Sequence, residues 1–592
     1  MIPISTIRRS FDDPALSLYL VAGIVGALSG MVFANYSIMV GIAQYLVGLV
    51  PYPVDTPHGI LYQRTVTLPV EAFALLLKAG LSEREASIVT SCVVSVVHYQ
   101  AFVLIAYAFC GRALPALAIM AVAGFETFGH GADYPIGMFT GETYGALALG
   151  VSIHVAALIA VGWYRGAGLT AGLLAGIHPV MALWTLALTA AIAWVFRRTL
   201  DVRSAIPWLG AGLAVSAAGI AYGLGIRVSS PAIPPPDPAF LRVFLELWDV
   251  HRNVPIGIPQ VVPLVMAVAT LSAMSAWLAY EGRSRAPAPR FAAALVTVGG
   301  LVAVVLYLGF HAAREVLPVP VLIAMPNRFL NILTEVSPVV MAGMLASRRH
   351  PLALVGLVVM LVGAMLFFIV PMPEVIPAGT FEAATLVLAS LAAVVVFSGR
   401  VRGWEERPAV LVAGLAAVDR LTTAFAAKVS PAVLVGLVAL GALGLGGRMA
   451  PLTYSRAVED FIQALERTEG LLLLADGLTL VRSPTHRPVL LDPNRFDYIP
   501  YVPEAAPAVA DILGAVYGVD YFNPPRSTRF KGALAKGISR DLWESRGRDE
   551  WLRLAGRYGI GAIMAPSDWR IDLPRVYRLP GNPGLTIFSL RL

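Results

Sequence analysis

The residues able to do chemistry in this chain fall in a few short stretches rich in acids, imidazoles and proline. Asp55 sits in the polar centre Pro53-Val54-Asp55-Thr56-Pro57-His58, three residues before His58. The stretch FETFGHGADYPIGMFTGE packs Glu126, His130, Asp133 and Glu142 into fewer than 20 residues. A third stretch, LELWDVHRNVP, carries Glu246, Asp249, His251 and Arg252; MPNRF carries Arg328, and His178 directly precedes Pro179. A carboxylate such as Asp55 or Asp133 can deprotonate an attacking hydroxyl, and Arg252 or Arg328 can neutralise a leaving phosphate. Each group also has an ordinary reading. Asp133 and Glu142 beside Gly and Pro serve as solvated loop acids, His251-Arg252 as a solvated pair, and His178 as a packed turn residue. His98 and His154 lie on apolar stretches and read as interhelical polar contacts, although an ionisable group at membrane depth leans towards function.

The elements that must position these groups are membrane spans. Hydrophobic residues make up 57% of 592 positions and charged ones 14%, with a mean hydropathy of +0.73, far from a soluble domain. The net charge of +7 sits in short loops beside apolar runs, where it sets orientation and excludes a nucleic-acid role. Cys92 and Cys110 both lie in apolar stretches, which excludes a disulfide framework or a Cys-rich metal site. Arg8 and Arg9 precede the run Leu16–Asn35, which is long enough for a core of roughly 30 Å and reads as a retained first span starting in the cytoplasm.

Further spans are expected near Ala86–Cys110, Leu114–Thr127, Thr143–Trp163, Ile206–Gly225, Val261–Tyr280, Phe291–Phe310, Phe329–Ala346, Leu352–Val370, Pro377–Phe397 and Ala432–Gly446. Basic residues bound Ala167–Phe196 on both sides, so that stretch is expected to cross twice, turning at His178-Pro179. The total is about 13 transmembrane helices in a domain covering 1–447. Long outer loops are expected at 36–85, 125–142 and 227–260, a further one at 311–328, and an interfacial helix at 404–428. Apolar flanks at 39–50 and 68–79 would hold the Asp55 centre over the membrane surface.

After Arg448 charged residues and turns increase, and short strand-like runs alternate with helical ones. Helices are expected at Tyr454–Glu469, Pro507–Val516 and Glu550–Arg557. Strands are expected at Gly470–Ala475, Leu478–Arg482, Pro488–Leu491, Ile560–Ala565 and Leu585–Leu590, with a hairpin at Asp476-Gly477. This is a soluble α/β domain over 448–592. An odd span count places it outside the cell membrane, with His486, Arg487, Asp492, Arg495, Tyr498 and Tyr501 able to stack on and hydrogen-bond sugars.

The layout resembles the GT-C class of membrane glycosyltransferases. The resemblance is carried by the long first outer loop with Asp55, the acidic second loop with Asp133, the basic turn and small-residue helix RGAGLTAGLLAGIHP, the late MPNRF, and the tail stretch WLRLAGRYGIGAIMAP. It implies transfer of a sugar from a polyprenyl-phosphate donor to a glycan, lipid or protein acceptor at the outer membrane face. Asp55 then becomes the general base and Asp133 its assistant, with Glu126 as the substitute. The resemblance also allows a divalent metal, Mg or Mn, near the second-loop acid; no other cofactor is indicated. The first loop lacks a paired acid motif, and Asp55 with His58 is equally a hydrogen-bonded pair that tunes the acid without metal. Arg252 and Arg328 are assigned to the lipid-linked phosphate on charge grounds, with His58, His130, His178 and His251 around them.

Three rivals stand beside that reading: a secondary transporter, a lipid-carrier polymerase or ligase, and a non-catalytic assembly subunit of envelope polysaccharide synthesis. No duplicated half is visible, and the charges gather at outer edges, which weighs against transport. High Ala, Gly, Val and Arg usage points to a GC-rich bacterial genome, and so to a bacterial inner (plasma) membrane with the tail outside.

Overall fold

The computed structural model describes residues 13–32, 34, 36–126, 143–227, 233–249, 252, 258–281, 286–348, 350–369, 380–398, 455–478, 485–581 and 584–590. His130, Asp133, Glu142 and His251, the interfacial helix expected at 404–428 and the span expected at 432–446 lie outside those residues. So does most of the strand expected at 478–482.

The chain forms two compact units, each assembled from separated segments: Met1–Ser37, Ser87–Gly219 and Ile256–Ala450 make the first, and Ile38–Ala86, Ile220–Pro255 and Pro451–Leu592 the second.

In the first unit a helix stands at every expected span position among the described residues. Seven helices of the described chain are long and apolar enough to cross a membrane. By length and apolarity this is an integral membrane protein. Helix formation satisfies all backbone groups of these runs internally, which hydrocarbon requires. The least enclosed helices, Pro179–Phe196 and Ile206–Gly225, expose Leu183, Trp194, Val195, Trp208 and Val215, a surface suited to lipid tails.

The stretch expected to cross twice is indeed broken at His178, into helices Tyr164–Ile177 and Pro179–Phe196. Pro179 cannot donate within the preceding helix, and the extended backbone of His178 (φ −153°, ψ 96°) turns the chain there. At 1.5 Å per residue the 14-residue first arm is about 21 Å long, shorter than a full crossing. Its small residues explain where it packs. A Cβ on Gly172 would come within 2.5 Å of the Leu209 carbonyl and one on Gly168 within 2.2 Å of the Ala205 carbonyl, so bare backbone lets helix Ile206–Gly225 approach to van der Waals distance. Ser216 completes the seam, receiving the Gly176 N–H at 3.1 Å and donating to the Gly172 carbonyl at 2.9 Å.

The second unit is built on a four-stranded sheet, β1 (Leu471–Leu474), β2 (Ile560–Pro566), β3 (Arg575–Leu579) and β4 (Leu585–Ser589), in the order β1-β2-β4-β3. β1 runs parallel to β2, and the other neighbours are antiparallel. Alternation sends Leu472, Leu474, Ala562, Met564 and Ile587 to one face, under helix Arg456–Glu466. Leu471, Leu473, Ile563, Ala565 and Phe588 face the other core, shared with Val509, Leu513, Trp543 and Trp551. Pro488–Leu491, expected as a strand, makes only an isolated bridge at Val489. β3 was not expected, because its Arg575 and Arg578 give an edge strand little apolar signal.

This unit also contains the first and third expected outer loops. Phe244 and Trp248 are fully buried in the core with Trp543 and Phe588, and the Trp248 indole donates to the Tyr521 carbonyl at 2.8 Å. The first loop folds into helices Met39–Leu46, Pro57–Arg64 and Leu68–Lys78, the last two bent by 101°.

Candidate functional site

Asp55 owes its position to a tight turn. The Thr56 hydroxyl donates to the Pro53 carbonyl at 2.7 Å and accepts the Gly59 N–H at 3.1 Å, capping helix Pro57–Arg64 with Pro57 at its first position. A Cβ at Gly59 would lie 2.0 Å from the Pro53 carbonyl oxygen, so only glycine closes this turn. Asp55 stands exposed at its tip, where a carboxylate stays solvated and reachable, while His58 one helical turn on is buried. The His58 ring packs 5.9 Å from those of Tyr52 and Tyr62 and 6.1 Å from that of Tyr498. Ile60 packs with Val502 and Ala505, and Arg64 lies 3.6 Å from Glu504, so the Asp55 segment is seated on the tail by apolar contact and a partly exposed ion pair.

Arg227 fixes the other end of that segment. Its guanidinium donates to the carbonyls of Gly223 (2.6 Å), Thr65 (2.9 Å) and Tyr62 (3.4 Å) and pairs with Glu71 at 2.8 Å, with both side chains buried. The carbonyls freed at the bend between helices Pro57–Arg64 and Leu68–Lys78 therefore meet a cation. Arg252, assigned from sequence to a phosphate, is buried and paired with Asp249 at 2.7 Å, and its guanidinium lies 5.2 Å from the Tyr501 ring. Its charge is met within the chain.

In the first unit Arg328 follows a strained turn. Met325 adopts a left-handed conformation (φ 47°, ψ 60°), which costs a non-glycine residue roughly 1–2 kcal/mol. The turn Pro326–Arg328 then leads into helix Phe329–Ala346, with Asn327 fully buried and Arg328 half-buried. The charge of Arg328 bears on His178. His178 caps its helix by accepting the Met181 N–H at Nδ1 (3.4 Å), and its ring lies 6.0 Å from Tyr144. Thr143, the first described residue after the acidic second loop, caps helix Tyr144–Ala160 by accepting the Ala146 N–H at 3.2 Å. Glu126 is the last residue of helix Ala113–Glu126, at the other end of that loop.

A small cleft of about 70 Å³ opens along the same helices. Phe329, Ile332, Leu333 and Val336, from the helix that Arg328 precedes, line it together with Thr185, two turns along the helix that His178 caps. Its walls are otherwise apolar apart from Ser152 and Thr189, and Thr185 donates to the Ser152 hydroxyl at 3.1 Å. Arg328 and His178 thus stand at the starts of two helices that border a hydrocarbon-lined space.

His98, expected as an interhelical polar contact, meets a partner that the sequence reading did not name, Glu335. His98 Nε2 lies 3.2 Å from Glu335, and the two side chains are 0% and 7% exposed. Nδ1 lies 2.8 Å from the Val94 carbonyl, which can only accept, so Nδ1 carries a proton. Nε2 thus faces a carboxylate side chain buried in the same helix bundle. His154 is buried as well, its ring 5.6 Å from that of Tyr19. Glu335 stands alone in the apolar run FLNILTEVSP, and that isolation is the signal by which it could have been found.

Among the described residues, no three His, Cys, Asp or Glu side chains gather to hold a metal ion.

No family model matches the sequence, and no curated protein matches it. Among solved structures, the chain is similar to the oligosaccharyltransferase of Archaeoglobus fulgidus in its apo form, at 9% identity and a TM-score of 0.36, over 93% of this chain and 69% of that one. It is also similar to the archaeal oligosaccharyltransferase AglB from the same organism, in complex with an inhibitory peptide and a dolichol-phosphate, at 10% identity and a TM-score of 0.34 over the same shares.

Proposed function

We propose that this protein is a membrane glycosyltransferase that moves a sugar from a polyprenyl-phosphate donor to a glycan, lipid or protein acceptor. The observation that carries the reading is the succession, along two helices, of Arg328 and His178 and then a cleft with mostly apolar walls. A ligand suited to this succession has an anionic head joined to an apolar segment. The guanidinium of Arg328 neutralises the phosphate as it leaves, and His178 gives it a second hydrogen-bonding partner. Asp55, exposed on its glycine-closed turn, serves as the general base that takes the proton of the acceptor hydroxyl, with Asp133 as its assistant and Glu126 in reserve.

The test is sugar transfer by purified protein from synthetic polyprenyl-phosphate sugars. Asp55→Asn is expected to lower kcat by about 10²–10⁴-fold. Arg328→Ala is expected to raise the donor KM by roughly 10–100-fold, the loss of one charged hydrogen bond. Absence of transfer from any polyprenyl-phosphate sugar, or full activity in both variants, would defeat the assignment.

The His98–Glu335 pair favours a second reading, secondary transport, because a buried pair of ionisable side chains inside a helix bundle is what such proteins use. Uptake of labelled solute into proteoliposomes, abolished by Glu335→Gln, distinguishes that reading from sugar transfer.

A further inference from the structure

The tail carries a basic, aromatic loop whose exposed side chains the proposed chemistry does not use. Between Tyr521 and Ser539 the chain has Arg526, Arg529, Lys531 and Lys536 and no Asp or Glu. Phe522 and Phe530 are 45% and 44% exposed, large apolar rings turned outward beside the exposed Arg526 and Lys531. Phe240 joins them, its ring 5.0 Å from that of Phe522.

The loop is built, not loose. Arg529 donates to the Pro524 carbonyl at 3.1 Å and to Asn523 Oδ1 at 3.1 Å, and the Thr528 hydroxyl donates to the Pro525 carbonyl at 2.7 Å. The Phe530 and Gly532 N–H groups donate to the carbonyls of Leu247 (2.9 Å) and Trp248 (2.7 Å), which anchors the loop's far end on the domain core. Phe530 is held in a left-handed conformation (φ 59°) although its ring fills no core position.

We infer that residues 522–531 are a docking surface for an anionic lipid bilayer. Rings flanked by arginine and lysine combine apolar insertion with attraction to acidic headgroups. A chain already anchored by apolar helices keeps such a surface within reach at high effective concentration, so a weak contact is sufficient. Charge selects the partner: residues 522–531 carry three cations and no acid of their own, which suits an acidic headgroup layer better than a neutral glycan.

The test uses the full-length protein in lipid nanodiscs, read by hydrogen exchange of the 522–532 amides. About tenfold slower exchange is expected when about a third of the lipid is anionic than when all of it is zwitterionic. High salt on the unaltered protein should erase the difference, as should R526E with K531E, and Phe522→Ser should shrink it. Because these side chains are exposed, the variants should unfold in detergent at the unaltered temperature. Equal exchange in both lipids, or protection indifferent to salt, overturns the inference. So does protection that appears only on adding a soluble oligosaccharide, which would make the loop a glycan-binding surface.

Discussion

Arg227 and Glu71 lie 2.8 Å apart, buried, at the point where helices Pro57–Arg64 and Leu68–Lys78 bend. A buried pair of this kind contributes little over an apolar substitute, but removing one partner strands the other charge. Arg227 additionally holds three carbonyls, two of them from the first outer loop. Arg227→Ala is therefore expected to destabilise the protein by about 3–5 kcal/mol. Arg227→Met with Glu71→Leu should recover part of that loss, in thermal unfolding in detergent. Single and double variants of equal stability would show that the pair does not brace the loop.

Gly59 makes a second, more local prediction. The 2.0 Å approach of a Cβ to the Pro53 carbonyl cannot be relieved by a side-chain movement, because the obstacle is backbone. Gly59→Ala is expected to open the turn at a cost of about 1–3 kcal/mol and to displace Asp55. Under the proposed chemistry it should lower kcat while leaving the donor KM near its original value, since Arg328 and the cavity are untouched. Unaltered kcat in a folded Gly59→Ala protein would argue against Asp55 as the base.

How much of this was legible beforehand depends on the range of the interaction. The break at His178-Pro179 could be read from one dipeptide, because proline acts on its immediate neighbours. The helices of the expected spans followed from apolar run length in the same way. Trp248 sits in LELWDVHRNVP, a stretch read as an outer loop, yet it is core to a sheet whose strands lie beyond residue 470. Nothing local marks that, since burial there is decided by segments far along the chain. The same holds for Arg227 with Glu71 and for Arg252 with Tyr501: charge could be seen in sequence, but not the partner that meets it. β3 was hidden for a different reason, its exposed arginines masking the period-two pattern.

Gly150 and His98 test the buried polar pair. A Cβ at Gly150 would lie 2.3 Å from His98 Cε1, and the Nδ1 bond to the Val94 carbonyl keeps the ring from swinging aside. Gly150→Ala should push Nε2 away from Glu335 and cost about 3–5 kcal/mol, matching His98→Ala. Combining the two should add little, because both break one contact. Full additivity in thermal unfolding would show that Gly150 acts elsewhere.

His486 and Glu83 set a pH dependence. His486 Nε2 lies 2.7 Å from Glu83, and its Nδ1 lies 3.6 Å from Glu466. The hydrogen bond to Glu83 holds the imidazole pKa above its ordinary value, with burial opposing and both carboxylates reinforcing. A raised histidine pKa means that its contribution to stability is complete below the unfolded-state value, near pH 6.5, and is lost as pH climbs through the folded-state value. The side chain is 42% exposed, so solvent screening limits the effect to under about 1 kcal/mol. Hydrogen exchange around Ser82–Ala86 and Thr485–Arg487 should therefore quicken as pH rises above about 6.5, beyond the intrinsic base catalysis of exchange. Glu83→Gln removes the charge that raises the imidazole pKa and should flatten the excess. A profile of the same shape in that variant would place the titrating group elsewhere.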